Sequence, residues 1–472
     1  MIDQELCFTP ATELRQKIDA KEVSIVELTE LFHERIQKFN PKLNAYLALC
    51  PEQAMAEAKL AQEKTQKGEP VGRLHGIPIS IKDLEVTKGI ISTMGSAVFR
   101  DRVPDIDSVV VERVRQAGAI VLGKTNTPEF GQSGTTENKL GDACRNPWDT
   151  ERTAGGSSGG AAAALASGLC TLATGSDGGG SIRIPASFSG VFGIKPSQGR
   201  VPRYGGYGRP ASNQLSQSGP MSRTVADTAL LLQVLSGSDL RDPTSMRETP
   251  VDYTQNLNGG VKGWRIAWSS DFGYAGVEEE VMQVTKQAAR VFEELGASVV
   301  EANLTLEDPF PAFFDIFATG TYAAYGHLLE QHRDDFTHYV LNTFERAATL
   351  TAADLSRALL RVDQLRRQME IFFDQYDLLL SPTMPVAAFP IGQRPTVIGG
   401  KEVDPFWGYV PFTFPINMTG QTASSVPCGF SSESMPIGLH IVGPRGSEAR
   451  VLQASAAFES ARPWVQLHPP VS

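Results

Sequence analysis

Two glycine-serine runs, Gly155-Gly156-Ser157-Ser158-Gly159-Gly160 and Gly178-Gly179-Gly180-Ser181-Ile182-Arg183, constrain this chain more than any other feature of it. Glycine loses more conformational freedom on ordering than any other residue, so doubled runs imply that the backbone itself must come close to something. Between the runs, residues 161–168 read as a small-residue helix ending at Gly168, and 169–174 as a buried strand. The second run would then leave a strand with its N–H groups free, a geometry able to cradle an oxyanion.

The remaining chain supplies a frame for these loops. Helical periodicity marks residues 11–39 as two helices closing at Asn40-Pro41, and 51–67 as a third. An apolar strand at 76–83 carries Lys82 near its end. Helix 105–117, strand 119–122, helix 159–168 and strand 169–174 follow, then helix 224–235, strand 264–268, helix 277–295 and strand 298–300. Helix 352–375 leads into strand 378–380, and strands near 423–427 and 436–442 precede a last helix. This alternation predicts an α/β fold in one large domain, a central mixed β-sheet covered by helices on both faces. Within it we distinguish N-terminal helices (1–67), a core holding the glycine runs (68–240) and a variable remainder (241–472). Residues 305–345 carry more aromatics than one helix face needs.

Composition excludes several functions. The net charge of −10, from 43 basic and 53 acidic residues with no basic stripe, argues against nucleic acid or an anionic membrane as partner. The five cysteines (Cys7, Cys50, Cys144, Cys170, Cys428) are scattered and form no C-x-x-C pair, so neither a disulfide framework nor a zinc site is expected, and a reducing cytoplasm is the simple reading. Met1-Ile2-Asp3-Gln4-Glu5 lacks the basic and apolar regions of a leader, and nowhere do eighteen apolar residues run together.

Three motifs compete for the chemistry. Gly118 to Thr125 satisfies the Walker A pattern, but its intervening residues are a β-branched strand and Thr127-Pro128 follows where a helix should begin, so a strand after a glycine turn is the better reading. Gly155-x-Ser157-x-Gly159 fits the nucleophile elbow of α/β-hydrolases, which needs a histidine later in the chain. His33, His327, His332 and His338 read as solvated helix positions, His440 as a core histidine, His468 lies in a Pro-rich tail, and His75 precedes the serine. The third candidate is Lys82. Burial can lower a lysine from its usual pKa of about 10.4 until the neutral amine serves as a base, and Ser-Lys pairs are an alternative to the histidine triad. Against this stands a structural lysine paired with Asp83.

Lys82, Gly-Gly-Ser-Ser-Gly-Gly and Gly-Gly-Ser-Ile-Arg-Ile-Pro, in this order, resemble the amidase signature family. The similarity extends to Gly123-Lys124-Thr125-Asn126, Asn146-Pro147-Trp148, Lys195-Pro196-Ser197, Gly219-Pro220-Met221 and Val426-Pro427-Cys428-Gly429. The resemblance implies a catalytic triad of Lys82, Ser157 after a cis peptide bond, and Ser181 as the acyl-accepting nucleophile. It implies an oxyanion hole from the N–H groups of Gly178, Gly179, Gly180 and Ser181, with Ser158, Asp177 and Arg183 supporting that loop. Gly178 stands where many relatives carry threonine, which loosens side-chain support but keeps the N–H.

By the same resemblance the chain is a stand-alone amidohydrolase, the alternative being the glutaminase subunit of a tRNA-dependent amidotransferase. The 199–203 and 219–224 segments look more like the stand-alone type. The expected substrate is a small amide, ester or carbamate, apolar or aromatic, taken without cofactor or metal by a monomer or homodimer. Its pocket is expected between Gly131, Gln132 and Ser133 on one side and the 310–325 aromatics, Phe317 among them, with Trp407 on the other.

Overall fold

In the computed structural model, which describes residues 4–205, 214–302 and 304–472, eleven strands among those residues join in one sheet. The first three residues of the N-terminus read above lie outside the described residues. In chain order the strands are β1 (Tyr46–Leu49), β2 (Pro78–Lys82), β3 (Ile120–Thr125), β4 (Leu172–Asp177), β5 (Phe192–Lys195), β6 (Gln217–Ser222), β7 (Arg265–Trp268), β8 (Ser298–Glu301) and β9 (Leu378–Pro382). A separate small hairpin pairs β10 (Val397–Ile398) with β11 (Lys401–Glu402), and β12 (Thr422–Phe430) and β13 (Pro436–Gly443) complete the large sheet. Its order is β1-β3-β2-β4-β6-β5-β12-β13-β9-β7-β8. β2 runs parallel to β3 and β4, and β7 parallel to β8 and β9, while the strands joining these two groups pair antiparallel. The sheet is mixed, as the alternation of elements predicted.

The strand sequences show why both faces are covered. Along β9, Leu378 and Leu380 belong to one apolar core and Leu379 to another; along β7, Ile266 and Trp268 divide from Ala267 in the same way. Successive side chains of a strand point to opposite faces, so a strand that is apolar at every position must bury both. One core takes in the helices Val225–Leu235, Glu279–Glu294 and Glu448–Ala461; the other takes in Phe310–Tyr325, Ala352–Phe373 and Phe414–Thr419.

Several boundaries differ from the periodicity. The second helix runs through Pro41 to Leu43, because Asn44 in a left-handed conformation closes it by donating to Asn40 O. The strand expected at 169–174 is β4, shifted three residues onward. Pairing with β2 starts at Leu172, and the antiparallel partner β6 carries it through to Asp177. Strands β1, β5 and β6 are short or glycine- and serine-bearing, and period-2 patterning does not reveal them. β3 extends through Lys124 and Thr125, so the Walker-like segment is a strand, with Lys124 buried against Asp83 at 3.3 Å.

Candidate active site

The site lies where β2 and β4 end side by side. β2 delivers Lys82 on its last residue, and the Lys82 backbone N–H donates to Thr174 Oγ1 on β4 at 3.0 Å. The Lys82 side chain is fully buried, with Nζ 2.8 Å from Ser157 Oγ, 2.8 Å from Ser158 Oγ, 3.0 Å from Ser176 Oγ and 3.3 Å from Ser176 O. These four partners are neutral. Burial pushes the Lys82 amine down to about 7, against the weaker opposing pull of Asp177 and Glu85. Asp83 does not hold Lys82: its carboxylate accepts from Thr93 N and Thr93 Oγ1 and faces Lys124.

The first glycine run turns Ser157 toward this amine. The Gly156–Ser157 peptide bond is cis, and a Cβ on Gly156 would lie 2.6 Å from Thr135 O. The run then enters the helix Gly159–Ala166, whose Gly160 packs so closely that a Cβ would fall 2.3 Å from Asn126 N. Close approach of backbones, inferred from the sequence, is what these glycines provide.

The second run leaves β4 directly, and Asp177 organises it. The Asp177 carboxylate accepts from Gly180 N (2.8 Å), Ile182 N (3.2 Å), Arg183 Nε and Nη2 (2.9 Å each) and Asn417 Nδ2 (2.9 Å). Burial acts to raise this carboxyl, but the Arg183 guanidinium, together with the Lys195 charge and the Asn417 hydrogen bond, outweighs it and holds the group well below the usual carboxylate range. Gly180, expected as an oxyanion donor, is therefore committed elsewhere: its N–H belongs to Asp177. Gly180 also has φ +133°, and a Cβ there would sit 2.3 Å from Thr413 Oγ1, which itself donates to Gly179 O at 2.6 Å. Ser158 N donates to Ser181 O at 3.0 Å, tying the two runs together.

Arg183 also donates from Nη1 to His440 Nε2 at 3.0 Å. Arginine has no acceptor, so Nε2 must accept and the imidazole is neutral with its proton on Nδ1, which faces Ser381 Oγ at 3.4 Å. Burial, with Arg183 adding to it, pushes His440 well below the usual histidine range. His440 is thus a satisfied core histidine. His75 bonds Thr65 Oγ1 at 2.9 Å, and His33 is buried rather than solvated as its helix position suggested.

A narrow cavity is lined by Ser157, Ser181, Ser176, Gly178, Gly179, Gly131, Ser133, Phe317 and Trp407. Gln132, the remaining expected lining residue, instead faces a larger neighbouring cavity of about 370 Å³, which shares Trp407 with the first. The structure thus brings Lys82, Ser157, Ser158 and Ser176 into hydrogen-bond contact and sets Ser157 and Ser181 on one cavity. Sequence reasoning missed Ser176, Thr413 and Asn417, and it read His440 correctly as a core histidine without its link to Arg183. Ser176 was within reach, being two residues before the glycine run on β4; the others lie more than 200 residues away in the chain and carry no local signal.

The family model described as Amidase matches residues 27–452. An acylamidase from Rhodococcus erythropolis is 38% identical over 476 residues, covering 99% of this chain and 98% of that protein. A glutamyl-tRNA(Gln) amidotransferase subunit from Alkaliphilus metalliredigens is 36% identical over 95% of both chains. The crystal structure of a bacterial aryl acylamidase of the amidase signature enzymes superposes with a TM-score of 0.92 at 34% identity, covering 97% of each chain.

Proposed function

Since this chain belongs to the amidase signature family and is a hydrolase of amides, we propose that it works through Ser181 as nucleophile, Ser157 as proton relay and neutral Lys82 as base. The observation that carries this reading is the buried amine of Lys82, held at 2.8 Å from Ser157 Oγ with neutral partners only.

A charged ammonium has three N–H donors and no acceptor, whereas the neutral amine has two donors and a lone pair that can take the Ser157 proton. Ser181 Oγ attacks the carbonyl carbon while its proton passes to Ser157 Oγ and the Ser157 proton passes to Lys82 Nζ. The N–H groups of Gly178, Gly179 and Ser181 hold the oxyanion; by comparison with other acyl-transfer enzymes one such donor contributes about 2.7–4 kcal/mol. Collapse breaks the C–N bond. Ser157 returns a proton to the departing nitrogen and recovers one from Lys82, and water then takes the amine's place to release the acid and restore Ser181.

Esters and carbamates present the same carbonyl, so both are proposed as further substrates, and the aromatic lining of the cavity favours apolar or aromatic ones. That lining also supports a stand-alone hydrolase over a glutaminase subunit, whose substrate is a polar free amino acid. Among the described residues no helix is long and apolar enough to cross a membrane. The five cysteines are free, four of them buried, which supports a reducing, cytoplasmic setting. The test is a panel of matched amides, esters and carbamates given to the purified single chain. Turnover of simple amides without a second subunit is expected; turnover only with one would move the assignment to the amidotransferase.

A further inference from the structure

The wall behind Ser157 is a turn, residues 133–136, on which the first glycine run is laid. Thr135 O is the atom that leaves no room for a Cβ on Gly156, and Thr136 Oγ1 donates to Gly155 O at 2.8 Å. The same turn lines the cavity through Ser133 and Gly134. It is held in turn by a segment much later in the chain. A Cβ on Gly134 would lie 2.6 Å from Tyr409 Oη, and Arg394 Nη2 donates to Thr135 Oγ1 at 2.8 Å and to Ser133 Oγ at 3.2 Å. The two hydroxyls lie 3.0 Å apart, and Thr135 N donates to Ser133 Oγ at 3.2 Å, so one guanidinium nitrogen closes the turn.

We infer that Arg394 is a positioning residue for the proton relay: through Thr135 it holds Ser157 Oγ at hydrogen-bond distance from Lys82 Nζ. The inference rests on the relay roles proposed above for Ser157 and Lys82. Arg394 is half-buried, and its guanidinium lies over the Phe406 ring with Cζ 3.8 Å from the centroid, which fixes the plane of its donors. Ser133 and Thr135 are buried, and a buried hydroxyl that loses a partner is costly, so without Arg394 the turn must shift or leave its hydrogen bonding incomplete. Thr135 and Gly156 pack with no room for a methyl group between them, so a shift of the turn carries over to the Gly156–Ser157 peptide and to Ser157 Oγ. Misplacing a catalytic group by about 1 Å can cost about 100-fold in rate. An amide nitrogen, which has to be protonated to leave, should feel that misplacement, and p-nitrophenolate, which leaves without a proton, should feel it less.

Two substitutions test this from opposite ends of the hydrogen bond. Arg394→Met keeps an apolar stem over Phe406 and removes the donors; Thr135→Val keeps the shape of the side chain and removes the acceptor. Both are assayed on a simple amide and on the p-nitrophenyl ester of the same acid. Each is expected to lower kcat for the amide about tenfold with KM within about threefold, and to lower kcat/KM for the ester only about twofold. The double variant should lose little more than either single one, since both remove the same hydrogen bond. Unchanged amide turnover, equal losses for amide and ester, a loss carried by KM, or multiplied losses in the double variant overturns the inference. Urea midpoints establish that each variant is folded, and if Arg394→Met is not, Thr135→Val decides by the same ratio. Lys82→Ala separates the inference from the reading beneath it. A raised ester-to-amide ratio in Lys82→Ala with none in the Arg394 and Thr135 variants overturns the role of Arg394 alone, whereas no rise in Lys82→Ala overturns the relay and the inference with it.

Discussion

The Nζ of Lys82 lies 2.8 Å from the Oγ of Ser157, while Asp83, the next residue in the chain, turns its carboxylate to Lys124. Two lysines and one aspartate in neighbouring strands are thereby sorted. Lys124 has an anion and serves the structure, whereas Lys82 has only neutral oxygens within hydrogen-bond distance. Partner chemistry, not residue type, separates their roles.

The pH profile follows from that sorting. With Lys82 pushed down to about 7, its protonated form predominates below that pH and cannot accept the Ser157 proton. Amide turnover should therefore rise with pH along a limb of apparent pKa near 7 and level above it. A limb near the ordinary lysine value of about 10.4 would contradict neutral Lys82 as the base.

Lys82→Arg should not restore this function, because guanidinium stays charged at any working pH. Lys82→Ala should remove most turnover of amides, whose nitrogen has to be protonated to leave, and less turnover of activated esters, whose leaving group departs unaided. The ester-to-amide rate ratio of each variant measures this. An arginine variant with near-normal amidase activity would end the lysine-base mechanism.

Ser181→Ala should abolish both turnover and labelling by a serine-directed phosphonate, since Ser181 is the group assigned to form the acyl-enzyme. Mass spectrometry of the labelled wild type locates the modified residue. A label on Ser157 would reverse the two serines' roles.

The glycines of the second run should not behave alike. At Gly178 a Cβ would meet nothing nearer than 3.5 Å, on Ser216, whereas at Gly180 it would meet Thr413 Oγ1 at 2.3 Å on a backbone of φ +133°. Gly178→Ala is thus expected to fold and retain turnover with its N–H in place. Gly180→Ala must displace the loop that carries Ser181 and lose activity. Equal rates for the two variants, each checked for folding by circular dichroism, would refute this reading of the loop.

Asp177→Asn tests the support beneath the loop. It leaves the fully buried Arg183 without its counter-charge, and breaking a buried pair in this way costs about 3–5 kcal/mol. Urea denaturation should show a loss of that order together with lost turnover. A midpoint unchanged from wild type would mean that Asn417 and Thr413 alone suffice to hold Arg183.

What the sequence determined by itself was everything that repeats or is chemically distinctive over a short span. The strand Leu378-Leu379-Leu380, apolar at every position, requires cover on two faces, and the alternation of such strands with amphipathic helices implied the mixed sheet. The glycine runs implied backbone contact, and their order after Lys82 carried the family resemblance. Tertiary structure decided the rest because pairing across the sheet is set by partners distant in the chain. β6 extends β4 to Asp177 and so fixes where the second run begins, and nothing near residue 177 announces that partner. Lys82 becomes a candidate base only when folding removes its water and surrounds Nζ with three serines. Asn417 reaches Asp177 across 240 residues, and Gly180's N–H is spent on the Asp177 carboxylate by the geometry of one turn. Trp407 lines two cavities, an arrangement that belongs to three-dimensional packing and to no local pattern.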